Sequence, residues 1–382
     1  MKLVLTQSNL TLKGGAEKVV LEIAKHYNAK IYTAEYDRDN TLEEFKDLDV
    51  ELIGQPEVSR MLPYGRVKQG VGYGWGFYNK VIEEDYDVIN AHVSPSHWIR
   101  NKNARVLWYC HTPLREAYDL YSYRQSLRGQ AHRIVSALGM VAVRRMDRRV
   151  VRKIEGIFAN SNNTKRRIEK YLNRLDATVL NPAVDYKLYS NRGDEKFFVY
   201  PSRFSPNKRQ DYAIRAFQAF KNKYKAARYR LVLLGSVSND RYYSDYYDKI
   251  VRLAKSVGDV EIITDPKERT DEKLRDIISR STAVLYTPID EDFGMIPLDA
   301  MASGKVVIAV NQGGPRETVV NGKTGYLADS ESDMADMMVT VVEHPKVAEE
   351  MGKRGMERVR ENYSWERFFK IFDKKLEEVK RK

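Results

Sequence analysis

Segments rich in apolar, β-forming residues alternate with amphipathic helical segments, and this alternation predicts an α/β protein with two doubly wound parallel sheets. The alternation covers the first 180 residues, stops at a polar, turn-rich stretch at 186–195, and resumes at 197. A chain of 382 residues, 42% of them hydrophobic, is long enough for two such cores. We therefore predict an N-terminal domain over 1–185 and a C-terminal domain over 196–363, with a terminal helix at 364–382 that packs back on the first domain.

In the first domain, short apolar runs predict seven strands, at 2–6, 30–33, 50–53, 87–91, 105–110, 156–161 and 177–180. Helices are predicted at 16–27 and 163–172. In the first of these, Val19, Val20, Ile23 and Ala24 recur on one face, which is typical of a helix packed on a sheet.

In the second domain, the same pattern predicts strands at 197–201, 229–234, 260–264, 283–286 and 305–310. Helices are predicted at 211–224, 240–256 and 270–279. The glycines at 322 and 325 are interpreted as turns. The terminal helix has one apolar face, formed by Trp365, Phe368, Phe369, Phe372 and Leu376, which requires burial.

The composition restricts the compartment and the partner. Cys110 is the single cysteine, which rules out an intramolecular disulfide framework and favours a reducing compartment such as the cytoplasm. The opening residues turn polar too early for a signal peptide, and the longest apolar run, 134–143, is too short for a membrane span. A net charge of +12 indicates an anionic partner, but charge alone leaves nucleotide, lipid phosphate, acidic lipid and nucleic acid open.

The strongest functional signal is the stretch 287–304, TPIDEDFGMIPLDAMASG. It follows a predicted strand, and Pro297 and Gly304 mark the start and end of a helix. Glu291 lies on the loop and Asp299 in the first helical turns, at the carboxyl edge where open α/β sheets bind ligands. Ionised carboxylates only accept hydrogen bonds, so one suits sugar hydroxyls and the other ribose hydroxyls, beside helix amides that suit a diphosphate. The stretch therefore predicts a nucleotide-sugar site.

Two other loops that follow predicted strands suit phosphate. The loop 202–208, SRFSPNK, carries the cations Arg203 and Lys208. In the first domain, Gly14 and Gly15 precede a helix, so backbone amides can approach a phosphate closely. The same glycines are equally well explained by a tight turn.

His111 directly follows a predicted strand, again at a carboxyl edge. Arg115 and Asp119 come one and two turns later, which favours a functional over a purely structural histidine. His92 and His97 are separated from it by spacings that match no compact metal site, so no metal is predicted.

The segment 121–153 carries a strong positive charge around the apolar run 134–143. It has a single acid, Asp147, and nine basic residues: Arg124, Arg128, Arg133, Arg144, Arg145, Arg148, Arg149, Arg152 and Lys153. One interpretation is a solvated helical surface. The other is a contact with an anionic membrane or a phosphate-bearing acceptor. No motif for reading RNA or DNA accompanies the segment.

Together these motifs resemble the retaining glycosyltransferases of family 4, which have the GT-B fold. The 14–17 segment, GGAE, resembles the N-terminal phosphate loop of the family, and 202–208 resembles its G-R-L-x-x-x-K loop. The 291–299 segment resembles its E-x7-E signature, and 300–329 resembles the region downstream. The 111–119 segment, HTPLREAYD, is similar to a subgroup of mannosyltransferases that act on cell-surface or lipid-linked glycans.

The resemblance implies two Rossmann-like domains that face each other across a cleft. It implies metal-independent transfer of a hexose, with mannose favoured, from a nucleotide-diphosphate sugar such as GDP-mannose to a glycan or lipid-linked acceptor, without a cofactor. By position, Arg203 and Lys208 would hold the donor diphosphate and stabilise the leaving group. Glu291 would bind sugar hydroxyls, and Asp299 would bind ribose hydroxyls.

The resemblance also implies roles for backbone groups and for the first domain. Backbone groups of Phe293, Gly294, Met295 and Ile296 would lie alongside the donor sugar. In the first domain, His111 would lie beside that sugar, the amides of Gly14 and Gly15 near the phosphates, and Arg115 and Asp119 on the acceptor side.

The chain departs from the family pattern at two points. Asp299 stands where the family usually has Glu, so its side chain is one methylene shorter. The loop 264–268 lacks the usual glycine, which leaves the nucleotide base open.

Other functions remain open. Within the GT-B enzymes these are a nucleotide-sugar epimerase or a phosphorylase, although the E-x7-D and R-x4-K loops argue against both. Outside them the alternative is a non-catalytic basic module that binds anionic lipid or nucleic acid. A dehydrogenase is disfavoured because no G-x-G-x-x-G follows the first strand. Release of nucleotide from a sugar donor would separate an enzyme from a binding module.

Overall fold

The computed structural model describes residues 1–54, 65–115, 117–119, 130–225, 228–238 and 241–382; for 65–71 and 130–138 it describes the backbone only. The chain divides into two compact units. The first comprises Met1–Pro182 and Phe369–Lys382, and the second comprises Ala183–Phe368. Each unit has its own hydrophobic core.

The first unit is built on a parallel sheet of seven strands in the order β3-β2-β1-β4-β5-β6-β7. The strands are β1 (Leu3–Gln7), β2 (Lys30–Thr33), β3 (Val50–Leu52), β4 (Val88–Ala91), β5 (Val106–Cys110), β6 (Gly156–Ala159) and β7 (Thr178–Val179). Every residue of β1, β4, β5 and β6 is buried, as expected for central strands of a parallel sheet covered on both faces. The helices between them are α1 (Gly15–Tyr27), α2 (Gly65–Asn79), α3 (Gln130–Val151) and α4 (Asn162–Leu172).

The second unit has a parallel sheet of six strands in the order β10-β9-β8-β11-β12-β13. The strands are β8 (Phe197–Pro201), β9 (Arg230–Leu234), β10 (Val260–Ile263), β11 (Ala283–Tyr286), β12 (Val306–Val310) and β13 (Gly325–Ala328). The helices are α5 (Gln210–Lys223), α6 (Arg241–Val257), α7 (Asp271–Arg280), α8 (Ile296–Ala302), α9 (Pro315–Thr318), α10 (Glu331–Glu343) and α11 (Pro345–Asn362). Single 3-10 turns lie at Glu43–Asp47, Ser96–Asn101, Tyr186–Leu188 and Pro266–Glu268.

Strand β13 differs from the sequence interpretation, which placed a turn at Gly325. This glycine begins the strand and pairs with Val307 of β12. A Cβ at this position would lie 2.6 Å from the Val307 carbonyl oxygen and 2.9 Å from the Val319 side chain. The glycine therefore permits the close approach of two strands. The sequence interpretation considered glycine only as a turn residue and not as a site of close strand packing.

The segment 186–195, which composition indicated as a linker, belongs to the second unit. Backbone hydrogen bonds attach it there: the amide of Arg192 donates to Ser279 and that of Glu195 to Arg280, each at 2.9 Å. Its polar, turn-rich composition therefore reflects an irregular surface segment, and the boundary between the units falls at 182/183.

The terminal helix α12 (Trp365–Lys380) begins in the second unit, and from Phe369 onward it belongs to the first. There Phe372 and Leu376 are fully buried, as the apolar face predicts. The ring of Phe372 lies 5.9 Å from that of Phe158 in β6, and the Tyr27 hydroxyl of α1 donates to Asp373. In the part of the chain that the structure describes, no helix is long and apolar enough to cross a bilayer.

Candidate active site

Three loops meet at the carboxyl edge of the second sheet: 202–209 after β8, 287–295 after β11 and 311–314 after β12. Strands β8 and β11 are neighbours, so the loops that follow them are adjacent. The amide of Ile289 donates to the Asn207 carbonyl at 2.8 Å. This edge therefore collects the phosphate loop and the carboxylate loop predicted from the sequence.

An ion pair joins these two loops. The Lys208 Nζ lies 2.5 Å from Glu291 Oε2, and the two side chains are only 16% and 22% exposed. The backbone behind Lys208 is held in place, because its carbonyl accepts hydrogen bonds from the hydroxyls of Tyr200 (2.5 Å) and Thr287 (3.1 Å). A cation and a carboxylate are thus fixed side by side at a strand terminus.

The glycines after β12 let the third loop approach Glu291 closely. The amide of Gly314 donates to the Glu291 carbonyl at 2.8 Å. Gly313 has a φ of +59°, and a Cβ there would lie 2.7 Å from the Glu291 nitrogen. At Gly314 an added Cβ would overlap the backbone of Phe293. Both positions therefore require glycine, and the loop that carries Glu291 is supported along its backbone.

Arg203 lies on the same loop as Lys208, but its environment differs. Its side chain is exposed and makes no hydrogen bond or ion pair with the described residues. The carbonyl of Arg203 accepts a hydrogen bond from the Gln210 side chain at 2.9 Å, which fixes the backbone only. Arg203 is therefore a cation available to an anionic ligand, whereas Lys208 is already paired.

The segment 293–296 leads from the loop into α8. Phe293 is 2% exposed and anchors the segment in the core, and Gly294 has a φ of +88°, which favours glycine. Within the described chain the amides of Gly294, Met295 and Ile296 donate no backbone hydrogen bond. Backbone amides at the start of a helix are suited to bind anionic or hydroxyl oxygens.

Asp299 lies in α8 and is 6% exposed. Its Oδ1 accepts a hydrogen bond of 2.7 Å from the hydroxyl of Tyr189. Burial, together with the negative charge of Asp299, raises the pKa of the Tyr189 hydroxyl, which therefore stays protonated and donates. The sequence had not indicated Tyr189, because it lies in the segment interpreted as a linker.

In the first unit, His111 follows β5 and is 9% exposed. Its Nε2 lies 3.1 Å from Nδ1 of His92, which is fully buried, and the His92 Nε2 lies 2.8 Å from Asn90 Oδ1. Burial lowers the pKa of His111 to about 3, and burial together with the facing His111 ring lowers that of His92 well below its usual value. Both imidazoles are therefore neutral at pH 7.

The predicted acceptor-side residues form an ion pair with each other. Arg115 Nη2 lies 2.8 Å from Asp119 Oδ2, and the buried Arg167 of α4 lies 3.7 Å from the same oxygen. Two guanidinium groups therefore face the carboxylate of Asp119. The sequence reasoning missed Arg167, which lies 48 residues further along the chain than Asp119.

Gly14 and Gly15 mark the start of α1. Gly14 has an extended backbone and Gly15 is the first helical residue. The carboxylate of Glu17 lies against Gly14 so closely that a Cβ at Gly14 would overlap it. The first turn of α1 thus already carries a negative charge at the position where the sequence predicted phosphate. Among the described residues, no three His, Cys, Asp or Glu side chains form a group that could hold a metal ion.

Family models match both halves of the chain. The model for Glycosyltransferase Family 4 matches residues 13–188, and that for glycosyl transferases group 1 matches residues 187–358. The chain belongs to family 4 of the glycosyltransferases.

Curated relatives of this family 4 glycosyltransferase include the alpha-1,3/1,6-mannosyltransferase ALG2. The protein from Homo sapiens is 24% identical over 393 residues, covering 93% of this chain and 91% of the relative. That from Dictyostelium discoideum is 27% identical, covering 70% and 68%. A trehalose synthase from Pyrococcus horikoshii is 28% identical over 51% of both chains.

Solved structures confirm the fold. Anabaena HepE, in complex with UDP and glucose, superimposes with a TM-score of 0.75 at 16% identity over 99% of both chains. Sucrose-phosphate synthase from Thermosynechococcus elongatus superimposes with a TM-score of 0.77 at 16% identity over 99% of both chains. The GT-B fold, the glycosyltransferase activity and the resemblance to mannosyltransferases, all predicted from the sequence, are therefore confirmed. The epimerase and binding-module alternatives are not favoured.

The structure describes part of the basic segment of the glycosyltransferase. Arg124 and Arg128 lie outside the described residues, as does the side chain of Arg133. Of the described arginines, Arg148 donates to the Tyr171 carbonyl at 2.8 Å. Within the described part of the chain, Arg145 and two other exposed arginines of this segment, Arg149 and Arg152, have no acidic partner.

Asp147, the single acid of the segment, is 2% exposed. It accepts hydrogen bonds from His97 Nε2 (2.8 Å), Trp98 Nε1 (2.9 Å) and the Tyr118 hydroxyl (2.9 Å). This acid therefore anchors α3 to the core and does not offset the surface charge. Its isolation among cations was a signal of this role in the sequence.

Proposed function

We propose that the protein transfers a hexose, with mannose favoured, from a nucleotide-diphosphate sugar to a glycan or lipid-linked acceptor, with retention at the anomeric carbon and without a metal ion. The observation that carries this proposal is the Lys208–Glu291 pair at the carboxyl edge of the second sheet, beside the exposed cation of Arg203. A site for a diphosphate sugar needs cations and hydroxyl acceptors next to each other, and these loops supply both.

In this proposal Arg203 and Lys208 bind the diphosphate. Lys208 remains beside Glu291 when it contacts phosphate, because an ammonium group has three donor hydrogens. When the bond between the sugar and the diphosphate breaks, negative charge grows on the leaving group, and preorganised cations stabilise that charge. Glu291 accepts hydrogen bonds from the sugar hydroxyls, and the amides of Gly294 and Met295 donate to the same ligand.

The remaining contacts orient the donor. Asp299 accepts hydrogen bonds from the ribose hydroxyls, with its carboxylate held by Tyr189. His111 lies beside the donor sugar, and Arg115 with Asp119 lies on the acceptor side.

The relatives support mannose, and the structural neighbours widen the choice of donor. ALG2 is named as an alpha-1,3/1,6-mannosyltransferase, which favours GDP-mannose as the donor of this enzyme. HepE was solved with UDP and with UDP-glucose, so a UDP-sugar is the alternative.

A panel of donors tests this assignment. The full chain is incubated with GDP-mannose, UDP-glucose and ADP-glucose, with and without a lipid-diphosphate-linked glycan as acceptor, and nucleotide release is measured. We expect GDP release from GDP-mannose that the acceptor accelerates and that chelation by EDTA does not reduce. Glu291→Gln serves as the inactive control. Release from UDP-glucose alone would contradict mannose, and release from no donor would contradict the enzymatic proposal. An inverted anomer in the product would contradict retention.

We also propose that the exposed face of α3 contacts an anionic membrane on its cytoplasmic side. Arg145 and Arg149 are exposed there together with Val141, which is 43% exposed, and the exposed Arg152 directly follows the helix. Each cation near an anionic leaflet contributes roughly 1 kcal/mol, so three give reversible attachment that salt weakens. Such attachment suits an enzyme whose acceptor is itself lipid-linked.

Sedimentation with vesicles tests the membrane contact. The wild-type protein should pellet with phosphatidylserine-containing vesicles at low salt and much less with neutral vesicles. Replacing Arg145, Arg149 and Arg152 by Gln should reduce pelleting. The matched control replaces three exposed cations of the second unit by Gln, Lys323, Lys346 and Arg360, and changes net charge equally. If both triple variants lose the same amount of pelleting, overall charge explains the binding, and the assignment to this surface is contradicted.

A further inference from the structure

A hydrogen-bonded chain of three side chains runs across the carboxyl edge of the first sheet, from Asn90 through His92 to His111. Asn90 lies in β4 and His111 directly follows the neighbouring strand β5. The separations are 2.8 Å between Asn90 Oδ1 and His92 Nε2, and 3.1 Å between His92 Nδ1 and His111 Nε2. Neither the motifs nor the family resemblance assigns a role to Asn90 or His92.

The direction of each hydrogen bond in this chain follows from chemistry. The Asn90 amide nitrogen donates to the Leu107 carbonyl at 2.9 Å, so the atom that faces His92 is the amide oxygen, which only accepts. His92 Nε2 must therefore carry the proton. A neutral imidazole has one proton, so His92 Nδ1 is an acceptor and His111 Nε2 must donate to it.

The surroundings keep both rings neutral and in place. Asn90 and His92 are fully buried and His111 is 9% exposed. The Tyr109 ring packs against both imidazoles, with centroids 5.6 Å from His92 and 4.9 Å from His111. The His92 amide donates to the Thr6 carbonyl at 2.9 Å, and its carbonyl accepts from Trp108 Nε1 at 2.9 Å. The rings therefore have little freedom to rotate and exchange partners.

We infer that Asn90 and His92 are positioning residues that fix His111 as its Nε2–H tautomer, so that Nδ1 of His111 is the acceptor for a hydroxyl of the donor sugar. This inference rests on the proposed function, in which His111 lies beside that sugar. Within the described chain, Nδ1 of His111 has no hydrogen-bond partner, so it is available to a ligand.

The fixed tautomer has a consequence for transfer. Glycosyl transfer passes through a transition state in which the sugar ring is positively charged. A neutral imidazole with its lone pair toward the sugar is compatible with that charge, whereas an imidazolium would oppose it. Asn90 and His92 thus act on the reaction through His111, without contact with the substrate.

Nitrogen NMR of the full-length protein, labelled at histidine, tests the tautomer without any substrate. We expect wild-type His111 to be protonated at Nε2 and unprotonated at Nδ1, with the resonance assigned through His111→Ala. In Asn90→Leu, His92 loses the acceptor that fixes its proton, and in His92→Phe, His111 loses its own acceptor. In both variants His111 should be a mixture of the Nδ1–H and Nε2–H tautomers. Tyr109→Phe keeps the packing ring and removes only the hydroxyl that donates to the Leu180 carbonyl, so it should keep the wild-type tautomer.

A double-mutant cycle separates positioning from a general structural effect. With the best donor, Asn90→Leu should lower kcat/KM by roughly three- to tenfold, the effect of one misdirected hydrogen bond. It should have no further effect in a His111→Ala background, where there is no tautomer to fix. Equal losses in both backgrounds would overturn the positioning role. If Asn90→Leu fails to fold, His92→Phe takes its place in the cycle.

The outcomes distinguish this inference from the proposed function. Protonation of wild-type His111 at Nδ1, or an unchanged tautomer in both variants, would overturn the positioning role of Asn90 and His92 even if transfer is observed. Absence of nucleotide release from every donor would overturn the proposed function, while the NMR spectra would still decide the tautomer.

Discussion

Replacement of Lys208 by methionine tests the centre of the candidate site. Methionine keeps an unbranched apolar stem of similar length and removes only the charge that lies 2.5 Å from Glu291. If Lys208 stabilises the leaving diphosphate, the loss appears mainly in turnover, because the charge it meets develops in the transition state. If it serves only to hold the loop, the loss appears in stability.

The geometry gives a magnitude for each outcome. Loss of one preorganised group that meets developing charge lowers kcat by about 10²- to 10³-fold. The effect on stability should be small, because Glu291 is 22% exposed and water can solvate its carboxylate when the pair is broken. A partly exposed pair contributes up to about 1 kcal/mol, which corresponds to about 2–4 °C in Tm for a domain of this size.

Initial rates at saturating donor, calorimetry with free nucleotide and thermal melts measure these effects. Lys221→Met is the matched control, because Lys221 pairs with Asp259 just before β10, at the opposite edge of the sheet. We expect the control to retain kcat and to lose a similar amount of stability. Near-normal kcat in Lys208→Met, or equal kcat losses in both variants, would refute the reasoning.

Three other sets of substitutions have outcomes that the structure specifies. Glu291→Gln should remove most transfer and leave free-nucleotide binding intact, whereas Asp299→Asn should weaken nucleotide binding; calorimetry with the opposite pattern would exchange the roles. Tyr189→Phe removes the 2.7 Å hydrogen bond to Asp299, so the nucleotide Kd should rise roughly three- to tenfold, with no further rise in an Asp299→Asn background. Burial raises the pKa of Asp147, but its hydrogen bonds, that from His97 foremost, outweigh this and lower the pKa. A carboxyl group whose pKa is lower in the folded than in the unfolded protein stabilises the fold at pH values above its unfolded pKa. This stabilisation is lost as the pH falls through its folded pKa. The Tm of the wild-type protein should therefore decrease as the pH falls below about 4. Asp147→Asn should have a lower Tm at pH 7, and its Tm should change less with pH in the acid range.

Much of the fold is encoded in residues that are close together in the chain. Apolar runs such as Val306–Val310 predict buried strands, and Pro297 and Gly304 mark the limits of α8 to within two residues. Loops that follow parallel strands share one edge of a sheet, so the sequence alone predicts that Lys208, Glu291 and His111 lie at carboxyl edges. The physical reason is that hydrophobic periodicity, capping and turn preferences act over a few residues.

The tertiary structure decided which side chains meet. Lys208 and Glu291 are 83 residues apart, and they pair because β8 and β11 are neighbours in the sheet, an order that the alternation of elements does not specify. His92 and His111 bond because β4 lies beside β5, and Tyr189 reaches Asp299 from a segment whose composition indicated a linker. Such contacts depend on the strand order and on the burial of polar groups, which then require hydrogen-bond partners. Both are properties of the folded chain and not of local sequence.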